Sequence, residues 1–234
     1  MIAVSRTHQG KIRLNNQDAL LIRQEATSLY AVADGMGGHR GGNVASAMAV
    51  SALMELDLND QPNDGAFVRA FNRANLLIWE RQLSDLSLSG MGTTLSALWE
   101  GEEGLLIAHV GDSRVYQFHE GSLRQITQDH SLVGELLRSG AITPEMASNY
   151  PYRNIVTRAV GTDSTLQTDL FRAPKLPGSR FLICSDGLTE YANSSLLIEC
   201  LDMPLNEAAD RLLTLALEGG GRDNITLIVL EVPQ

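Results

Sequence analysis

Four aspartates in this 234-residue sequence stand at the ends of apolar runs, beside small, turn-forming residues. They lie in Ala33-Asp34-Gly35, Gly111-Asp112-Ser113, Ser185-Asp186-Gly187 and Arg222-Asp223-Asn224. An aspartate beside a buried strand is costly unless it is paired or binds a metal. Carboxylates brought ~4 Å apart repel by about 4 kcal/mol at an effective dielectric of about 20, so a convergent set would require divalent cations. Oxygen ligands favour Mg²⁺ or Mn²⁺ over Zn²⁺.

The alternative is that these aspartates only form turns. For any single Asp-Gly pair, a turn is the more frequent role. Four such aspartates at strand ends favour a metal site, although they do not eliminate the turn interpretation.

Two further segments could contact phosphate. Arg13, five residues before Asp18, could grip a phosphate with its planar guanidinium, although an isolated arginine is more typical of a solvated surface. The glycine-dense segment Gly35–Gly42 precedes a predicted helix. It lacks the Lys-Ser/Thr of a P-loop, and Arg40 stands where a dinucleotide fingerprint needs glycine. Close approach of this backbone to a metal fits the pattern better.

Covalent phosphatase chemistry has no support in the sequence. A cysteine phosphatase needs an arginine six residues after its nucleophile, and Glu190 occupies that position after Cys184. An asparagine, Asn206, stands six residues after Cys200. No Asp-x-Asp-x-Thr segment is present, so a phosphoaspartate intermediate is also unsupported.

Apolar runs predict the elements that must position these residues. The predicted strands are Asp18–Arg23, Leu29–Ala33, Thr93–Trp99, Leu105–Val110, Val115–His119, Ser122–Ile126, Arg180–Cys184 and Ile225–Val232. The predicted helices are Gly42–Leu56, Asp64–Asp85 and Asn206–Glu218. The four strands between residues 93 and 126 follow one another without a helix-length gap and predict an antiparallel meander. This grouping predicts an α+β fold with sheet inside and helices outside.

Composition limits the class of protein. The net charge of −10 and the pI of about 4.9 disfavour nucleic acid and anionic membranes as partners. A phosphate-processing site in such a protein needs local cations. Two cysteines without a disulfide framework, together with the absence of a leader or membrane-length apolar segment, predict a cytoplasmic protein.

Eight ordered motifs resemble those of the metal-dependent protein phosphatase family, also called protein phosphatase 2C, in its compact bacterial form. The resemblance extends from Thr7 to Val232. The motifs are Arg13-x-x-Asn16-Gln17-Asp18, Asp34-Gly35-Met36-Gly37-Gly38, Gly90-Met91-Gly92-Thr93-Thr94, Gly111-Asp112-Ser113-Arg114, Gln125-x-Thr127-x-Asp129-His130-Ser131, Thr157-Arg158-Ala159-Val160-Gly161, Ser185-Asp186-Gly187-Leu188 and Arg222-Asp223-Asn224-Ile225-Thr226.

The resemblance implies a four-layer α-β-β-α sandwich in which helices flank two packed antiparallel sheets. It implies a single catalytic domain over residues 1–234, with a mobile flap at about residues 131–154. The implied activity is that of a signalling hydrolase, a Mn²⁺- or Mg²⁺-dependent protein serine/threonine phosphatase. A bridging metal-bound hydroxide would attack phosphoserine or phosphothreonine in line.

The resemblance also implies roles for individual residues. Asp34 would bridge two tightly bound ions, with the Gly35 carbonyl on one ion and Asp186 and Asp223 on the other. Asp18 would hold metal-bound waters, and Asp112 with Asp186 would bind a third, weaker ion. Arg13 would bind the substrate phosphate, so Arg13, Asp34, Asp186 and Asp223 are the expected catalytic residues.

Two positions depart from the pattern of many family members. Met36 stands where eukaryotic members have a histidine proposed as the general acid, and Gln17 stands where many members have glutamate. His39 is the histidine nearest in sequence to Met36. We expect His39 to help bind the substrate or protonate the leaving group.

The expected partners are phosphorylated proteins, substrates of a serine/threonine kinase, and the expected state is a monomer. Three alternatives remain open at this stage: a phosphatase of small phosphoesters, a non-catalytic binding module that keeps the fold, and a partner-switching phosphatase that acts on an anti-sigma-type regulator. The intact set Asp34, Asp112, Asp186 and Asp223 disfavours the second alternative. The Arg13–Asp18 motif disfavours the third.

Overall fold

The structure is a computed structural model that describes residues 1–148, 150–152 and 154–234, without the side chains of residues 38–40 and 148. Its strands form two antiparallel sheets. Sheet A has the order β1-β11-β10-β7-β8 and contains Ile2–His8 (β1), Arg114–His119 (β7), Ser122–Gln125 (β8), Arg180–Cys184 (β10) and Ile225–Glu231 (β11). Sheet B has the order β2-β3-β5-β6-β9 and contains Asp18–Gln24 (β2), Ser28–Met36 (β3), Leu95–Glu100 (β5), Leu105–Val110 (β6) and Asp169–Ala173 (β9). A two-residue strand, Gly92–Thr93 (β4), pairs with the end of β3.

Helices cover the outer face of each sheet. The helices are Gly38–Leu53 (α1), Asp64–Ser84 (α2), Leu132–Arg138 (α3), Pro144–Ser148 (α4), Asp186–Thr189 (α5), Ser194–Leu201 (α6) and Leu205–Gly219 (α7), with a 3-10 turn at Leu86–Leu88. The first two pack on sheet B, and α6 and α7 pack on sheet A. None of the helices in the described parts of the chain combines the length and apolar character that a bilayer span requires.

Three apolar layers hold the sandwich together. Along β3, Leu29, Ala31 and Ala33 face the helices of sheet B, whereas Tyr30 and Val32 face the layer between the two sheets. Both faces of a central strand are therefore buried, which explains why these strands are continuously apolar. The predicted four-layer α-β-β-α sandwich is confirmed.

The predicted antiparallel meander is wrong. The strands β5 and β6 pair in sheet B, but β7 and β8 pair in sheet A. Between them, residues 111–113 carry the chain from one sheet to the other. The loop between β6 and β7 is as short as a hairpin turn, so its length does not reveal that the two strands belong to different sheets.

Helix ends follow local sequence signals. The side chain of Asn63 accepts a hydrogen bond from the Ala66 backbone N–H and caps α2 at 2.8 Å. The last helix ends at Gly219, and Gly220 and Gly221 follow with φ angles of 144° and 56°. Such positive φ angles strain other residues, so these glycines terminate the helix beside the chain segment that leads to Asp223.

Candidate metal-binding active site

One end of the sandwich carries a pocket of about 680 Å³. Strand geometry brings its residues together: Asp34 lies near the end of β3, Asp112 follows β6, Asp186 follows β10, and Asp223 precedes β11. These strand ends lie at the same end of the two antiparallel sheets. All four aspartates line the pocket, and so does Arg13. The structure therefore brings together the residues that the four sequence motifs contain.

Asp34 is held by its backbone. The side-chain hydroxyl of Thr94 accepts from the Asp34 N–H at 3.0 Å, and the hydroxyl of Thr93 donates to the Asp34 carbonyl at 2.9 Å. These bonds fix the strand end without using the carboxyl group. Burial raises the pKa of Asp34 well above its usual range, and the charges of Asp18 and Asp186 raise it further.

Two neighbouring carboxyl groups, those of Asp18 and Asp186, show the same effect. Burial is the first cause in each case, raising the pKa of Asp18 to about 7 and that of Asp186 to about 6. The charge of Asp223 raises the pKa of Asp186 further. The pocket is thus short of positive charge, which a divalent cation would supply.

Asp18 lies opposite Asp34 in the pairing of β2 with β3. Its Oδ2 accepts a hydrogen bond from the Ser185 hydroxyl at 2.9 Å. Its Oδ1 is buried and has no hydrogen-bond partner among the described residues. A buried carboxylate oxygen without a partner costs free energy unless a hydrated cation or water satisfies it.

Arg13 stands at the mouth of the pocket. Its Nη2 donates to Asp223 Oδ2 at 2.6 Å, and half of its side chain is exposed. The hydrogen bond to Asp223, with its charge, raises the pKa of the guanidinium, so Arg13 remains a cation. The structure therefore places Arg13 against a predicted metal ligand, at the position where a substrate would enter.

Asn224 anchors the loop that carries Arg13. Its side-chain amide donates to the carbonyls of Gln9 and Asn15 at 2.9 and 3.0 Å. Its Oδ1 accepts from the Gln17 backbone N–H at 2.8 Å. The sequence motif contains Asn224 without predicting its role, because an asparagine directly before an apolar strand does not indicate which segments its side chain joins.

Asp112 lies on the crossover between the sheets. His130 holds this crossover: its Nδ1 accepts from the Gly111 N–H at 3.0 Å, and its backbone N–H donates to the Gly111 carbonyl at 2.7 Å. The hydroxyls of Ser113 and Thr94 share a buried hydrogen bond of 2.6 Å. His130 thus has a structural hydrogen-bonding role at this crossover.

Arg114, two residues after Asp112, is paired with other groups. The Arg114 guanidinium donates to Asp129 at 2.6 to 3.0 Å and to the Tyr116 hydroxyl at 3.2 Å. Among the described residues, its hydrogen bonds are therefore made to Asp129 and Tyr116 rather than to Asp112, although its charge lowers the pKa of Asp112. Burial, followed by the charge of Asp186, raises the pKa of Asp112 to about 7. Asp112 is another candidate for cation binding.

The glycines after two of the aspartates allow close backbone packing. A Cβ on Gly35 would lie 2.1 Å from the Gly42 carbonyl oxygen, and one on Gly187 would lie 2.0 Å from the Asn224 carbonyl oxygen. Neither position tolerates a side chain. The Asp-Gly pairs are therefore explained by contact between segments of the site, which the turn interpretation did not include.

The donor set fits hydrated Mn²⁺ or Mg²⁺. Within the described residues, no group of three or more His, Cys, Asp or Glu side chains is arranged so that it could hold a metal ion by itself. Mg²⁺ typically keeps several waters and uses only one or two protein carboxylates, so it does not need such a cluster. The unpartnered Asp18 oxygen and the raised pKa values of neighbouring carboxyl groups are consistent with water-rich cation sites.

Two predicted features lie partly outside the described residues. The side chain of His39, in α1, is among those not described. The predicted flap at residues 131–154 includes positions 149 and 153, which are also not described. Its described parts contain α3 and α4, and Asn154 lines the pocket.

Comparisons with known proteins define the class. The family model described as "Protein phosphatase 2C" matches residues 6–216. The chain therefore belongs to the protein phosphatase 2C family. It is 39% identical over 241 residues to "Serine/threonine phosphatase stp" of Listeria monocytogenes, covering 99% of this chain and 96% of that protein.

A mycobacterial relative and its solved structure agree with this family. The chain is 38% identical over 232 residues to "Serine/threonine protein phosphatase PstP" of Mycobacterium tuberculosis, covering 97% of this chain. It spans only 44% of the length of PstP. The solved structure of the PstP catalytic domain in complex with two manganese ions superposes with a TM-score of 0.89 at 36% identity, over 100% of this chain and 98% of that one.

Proposed function

We propose that this protein is a metal-dependent protein phosphatase that hydrolyses phosphoserine and phosphothreonine in other proteins. The observation that carries the proposal is the convergence of Asp34, Asp112, Asp186 and Asp223 on one pocket with Arg13 at its mouth. Relatives named as serine/threonine phosphatases, at 38–39% identity, support the same reaction.

Each carboxylate has a proposed task. Asp34 would be shared by two ions, Asp186 and Asp223 would hold one of them, and the Gly35 carbonyl would complete the other. Asp18 would accept hydrogen bonds from coordinated waters through its unpartnered oxygen. Bound Mn²⁺ or Mg²⁺ would supply Lewis acidity and lower the pKa of a coordinated water. A complex of PstP with two manganese ions supports two tightly bound ions.

Arg13 would orient the phosphate for in-line attack. A guanidinium has five N–H donors in a planar fork, so it can hold Asp223 and still present donors to phosphate oxygens. The positive charge would stabilise negative charge on the equatorial oxygens of the transition state. His39 would assist substrate binding or protonation of the leaving group.

Further parts of the proposal concern the weaker ion and the surroundings. Asp112 and Asp186 would bind a third ion, weakly because it shares a ligand with the main centre. The flap at about residues 131–154 would move next to this site within a single catalytic domain. The substrates would be phosphoproteins made by a serine/threonine kinase. Both cysteines are free and buried, which supports a reducing compartment, the cytoplasm. The proposed oligomeric state is a monomer.

Phosphate release from a phosphothreonine peptide tests the proposal. Release should require Mn²⁺ or Mg²⁺, stop in chelator, and return when metal is restored. Asp60→Asn, which changes an exposed aspartate outside the metal pocket, serves as a matched control for Asp34→Asn. Full turnover in chelator would overturn the metal-dependent mechanism.

The alternative is a phosphatase that acts mainly on small phosphoesters. Arg13 and Asn154 line the pocket from exposed surface loops, which favours a peptide segment over a small molecule held in an enclosed cavity. Turnover of phosphopeptides and nucleotides should be compared at equal concentration. Faster hydrolysis of nucleotides would favour the small-molecule alternative.

A further inference from the structure

Two segments with exposed apolar side chains line the acidic pocket. Ile12 and Leu14 lie on either side of Arg13, and their exposed fractions are 68% and 81%. Ile155, exposed by 46%, and Val156 belong to a second segment of the chain that lines the same pocket. We call Ile12 with Leu14 the first apolar wall and Ile155 with Val156 the second.

The first apolar wall is held open by anchors at both ends of its loop. The Lys11 N–H donates to the Gly221 carbonyl at 2.6 Å, just before Ile12. Just after Leu14, the carbonyl of Asn15 accepts from Asn224 at 3.0 Å. Because both ends are fixed to the chain around Asp223, the two apolar side chains stay in solvent instead of folding back onto the protein.

The second apolar wall is anchored as well. The Leu132 N–H donates to the Ile155 carbonyl at 2.9 Å, and Val156 pairs with Ser131 in an isolated bridge. The Thr157 N–H then donates to the His130 carbonyl at 2.8 Å. Both walls are therefore preorganised surfaces, which lowers the entropic cost of binding a ligand.

Charge selects among the possible occupants of the pocket. Bound cations would neutralise the four aspartates that line it, but the whole chain carries a net charge of −10 and stays acidic. Acidic residues beside a phosphorylated side chain would be repelled, whereas apolar residues would cover the walls and remove their surface from water. We propose that the two apolar walls dock apolar side chains that flank the phosphorylated residue of a protein substrate. This inference rests on the proposed phosphatase function and narrows its substrate class.

The test compares two phosphothreonine peptides of equal length and charge. One carries leucine two residues before and after the phosphothreonine, and the other carries serine at both positions. We expect the native protein to prefer the leucine peptide roughly tenfold in kcat/KM, mainly through KM. In Leu14→Ser and in Ile155→Ser this ratio should fall severalfold, and Leu14→Met should retain it.

A matched control is available on the surface. Leu86 is 85% exposed and is not among the residues that line the pocket, so Leu86→Ser removes a similar apolar side chain elsewhere. It should keep the native preference. An equal kcat/KM for the two peptides with the native protein, or an unchanged ratio in Leu14→Ser, would overturn the docking surface.

Failure of the proposed function gives a different result. Neither peptide would then release phosphate, whatever its flanking residues. Fluorescence anisotropy with the two labelled peptides would still test the walls. Tighter binding of the leucine peptide that is lost in Leu14→Ser supports the docking surface, and equal binding of both peptides rejects it.

Discussion

Arg13 and Asp223 are joined by a hydrogen bond of 2.6 Å although 210 positions separate them in the sequence. The bond connects the loop after β1 with the residue that lies two positions before β11. It places a permanent positive charge against a carboxylate that the proposed mechanism uses for metal binding. Arg13 therefore has two partners in the proposed cycle, Asp223 and the substrate phosphate.

Replacement of Arg13 should lower activity because a charge-assisted contact to phosphate is lost. We expect Arg13→Ala to lose about 2–3 kcal/mol of transition-state binding, roughly 30- to 150-fold in kcat/KM. Arg13→Lys should give an intermediate value, since it keeps the charge but not the planar fork. Arg172→Ala, at an exposed Arg172–Asp64 pair outside the pocket, is the control. If Arg13→Ala kept the kcat/KM of the native protein, Arg13 would be a surface residue without a role in binding phosphate.

Replacement of Asp34 should separate activity from stability. Asp34→Asn removes a proposed shared metal ligand, so phosphate release should nearly vanish. In chelator, the same variant should melt at a higher temperature than the native protein, because one group with a strongly raised pKa is gone. Each kcal/mol gained corresponds to about 2–4 °C for a domain of this size. A lower melting temperature would contradict the strained carboxylate cluster.

The metal-free protein should lose stability as pH rises. The folded pKa values of Asp18 and Asp112 are about 7 and that of Asp186 is about 6, all above the ordinary aspartate value of 3.8. A group with a raised folded pKa contributes fully below its unfolded pKa and loses that contribution as pH rises through the folded pKa. Stability in chelator should therefore decline from about pH 4 to about pH 7.

Mn²⁺ should reverse this loss, because it binds the deprotonated carboxylates. At a concentration 100 times its dissociation constant, one ion adds about 2.7 kcal/mol. Melting curves with and without Mn²⁺ at pH 5.5 and pH 8 would measure the effect. An Mn²⁺-induced rise in melting temperature that is no larger at pH 8 would contradict the linkage.

Asp112→Asn should remove one weak metal-binding event. Calorimetric titration with Mn²⁺ should retain the tight binding events, and turnover of phosphoproteins should fall strongly. The hydrogen bonds of Gly111 with His130 and of Ser113 with Thr94 do not use the Asp112 carboxylate, so the fold should remain intact. If the variant showed the same Mn²⁺ titration and the same kcat as the native protein, Asp112 would only form a turn.

His39→Ala should affect substrates according to their leaving groups. Nitrophenolate needs little protonation, whereas a threonine alkoxide needs much more. The variant should therefore lose more activity on a phosphopeptide than on nitrophenyl phosphate. Equal losses on the two substrates would leave His39 without a role as proton donor.

Most of the fold could be predicted because central strands and amphipathic helices leave clear patterns. Two strands were missed. Ile2–His8 turns polar after Val4, and Asp169–Ala173 has only five residues with charges at two of them. Helices α3, α5 and α6 were also missed, because segments of seven, four and eight residues are too short to show helical periodicity. The assignment of β6 and β7 to different sheets depends on packing, which local sequence does not contain.

The sequence could indicate candidate site residues where an unusual residue stands at a strand end. Asp34, Asp186 and Asp223 are recognisable in this way, since a carboxylate there needs a partner, and the structure places all three in one pocket. Asn224 and Thr94 do not, because each is fully satisfied by hydrogen bonds and resembles an ordinary buried polar residue. Their role follows only from the segments that they join.

The position of β11 affects how the protein reaches its active form. This strand lies between β1 and β10 in sheet A, and its pairs with β1 join residues more than 200 positions apart. Contacts between residues so far apart in the sequence form slowly. The entropy cost of closing the large loop comes before the contacts stabilise the fold. Asp223 enters the pocket together with this strand. In a partly folded chain without β11 in the sheet, Asp223 is therefore missing from the pocket. The proposed metal site is complete only when the sheet closes.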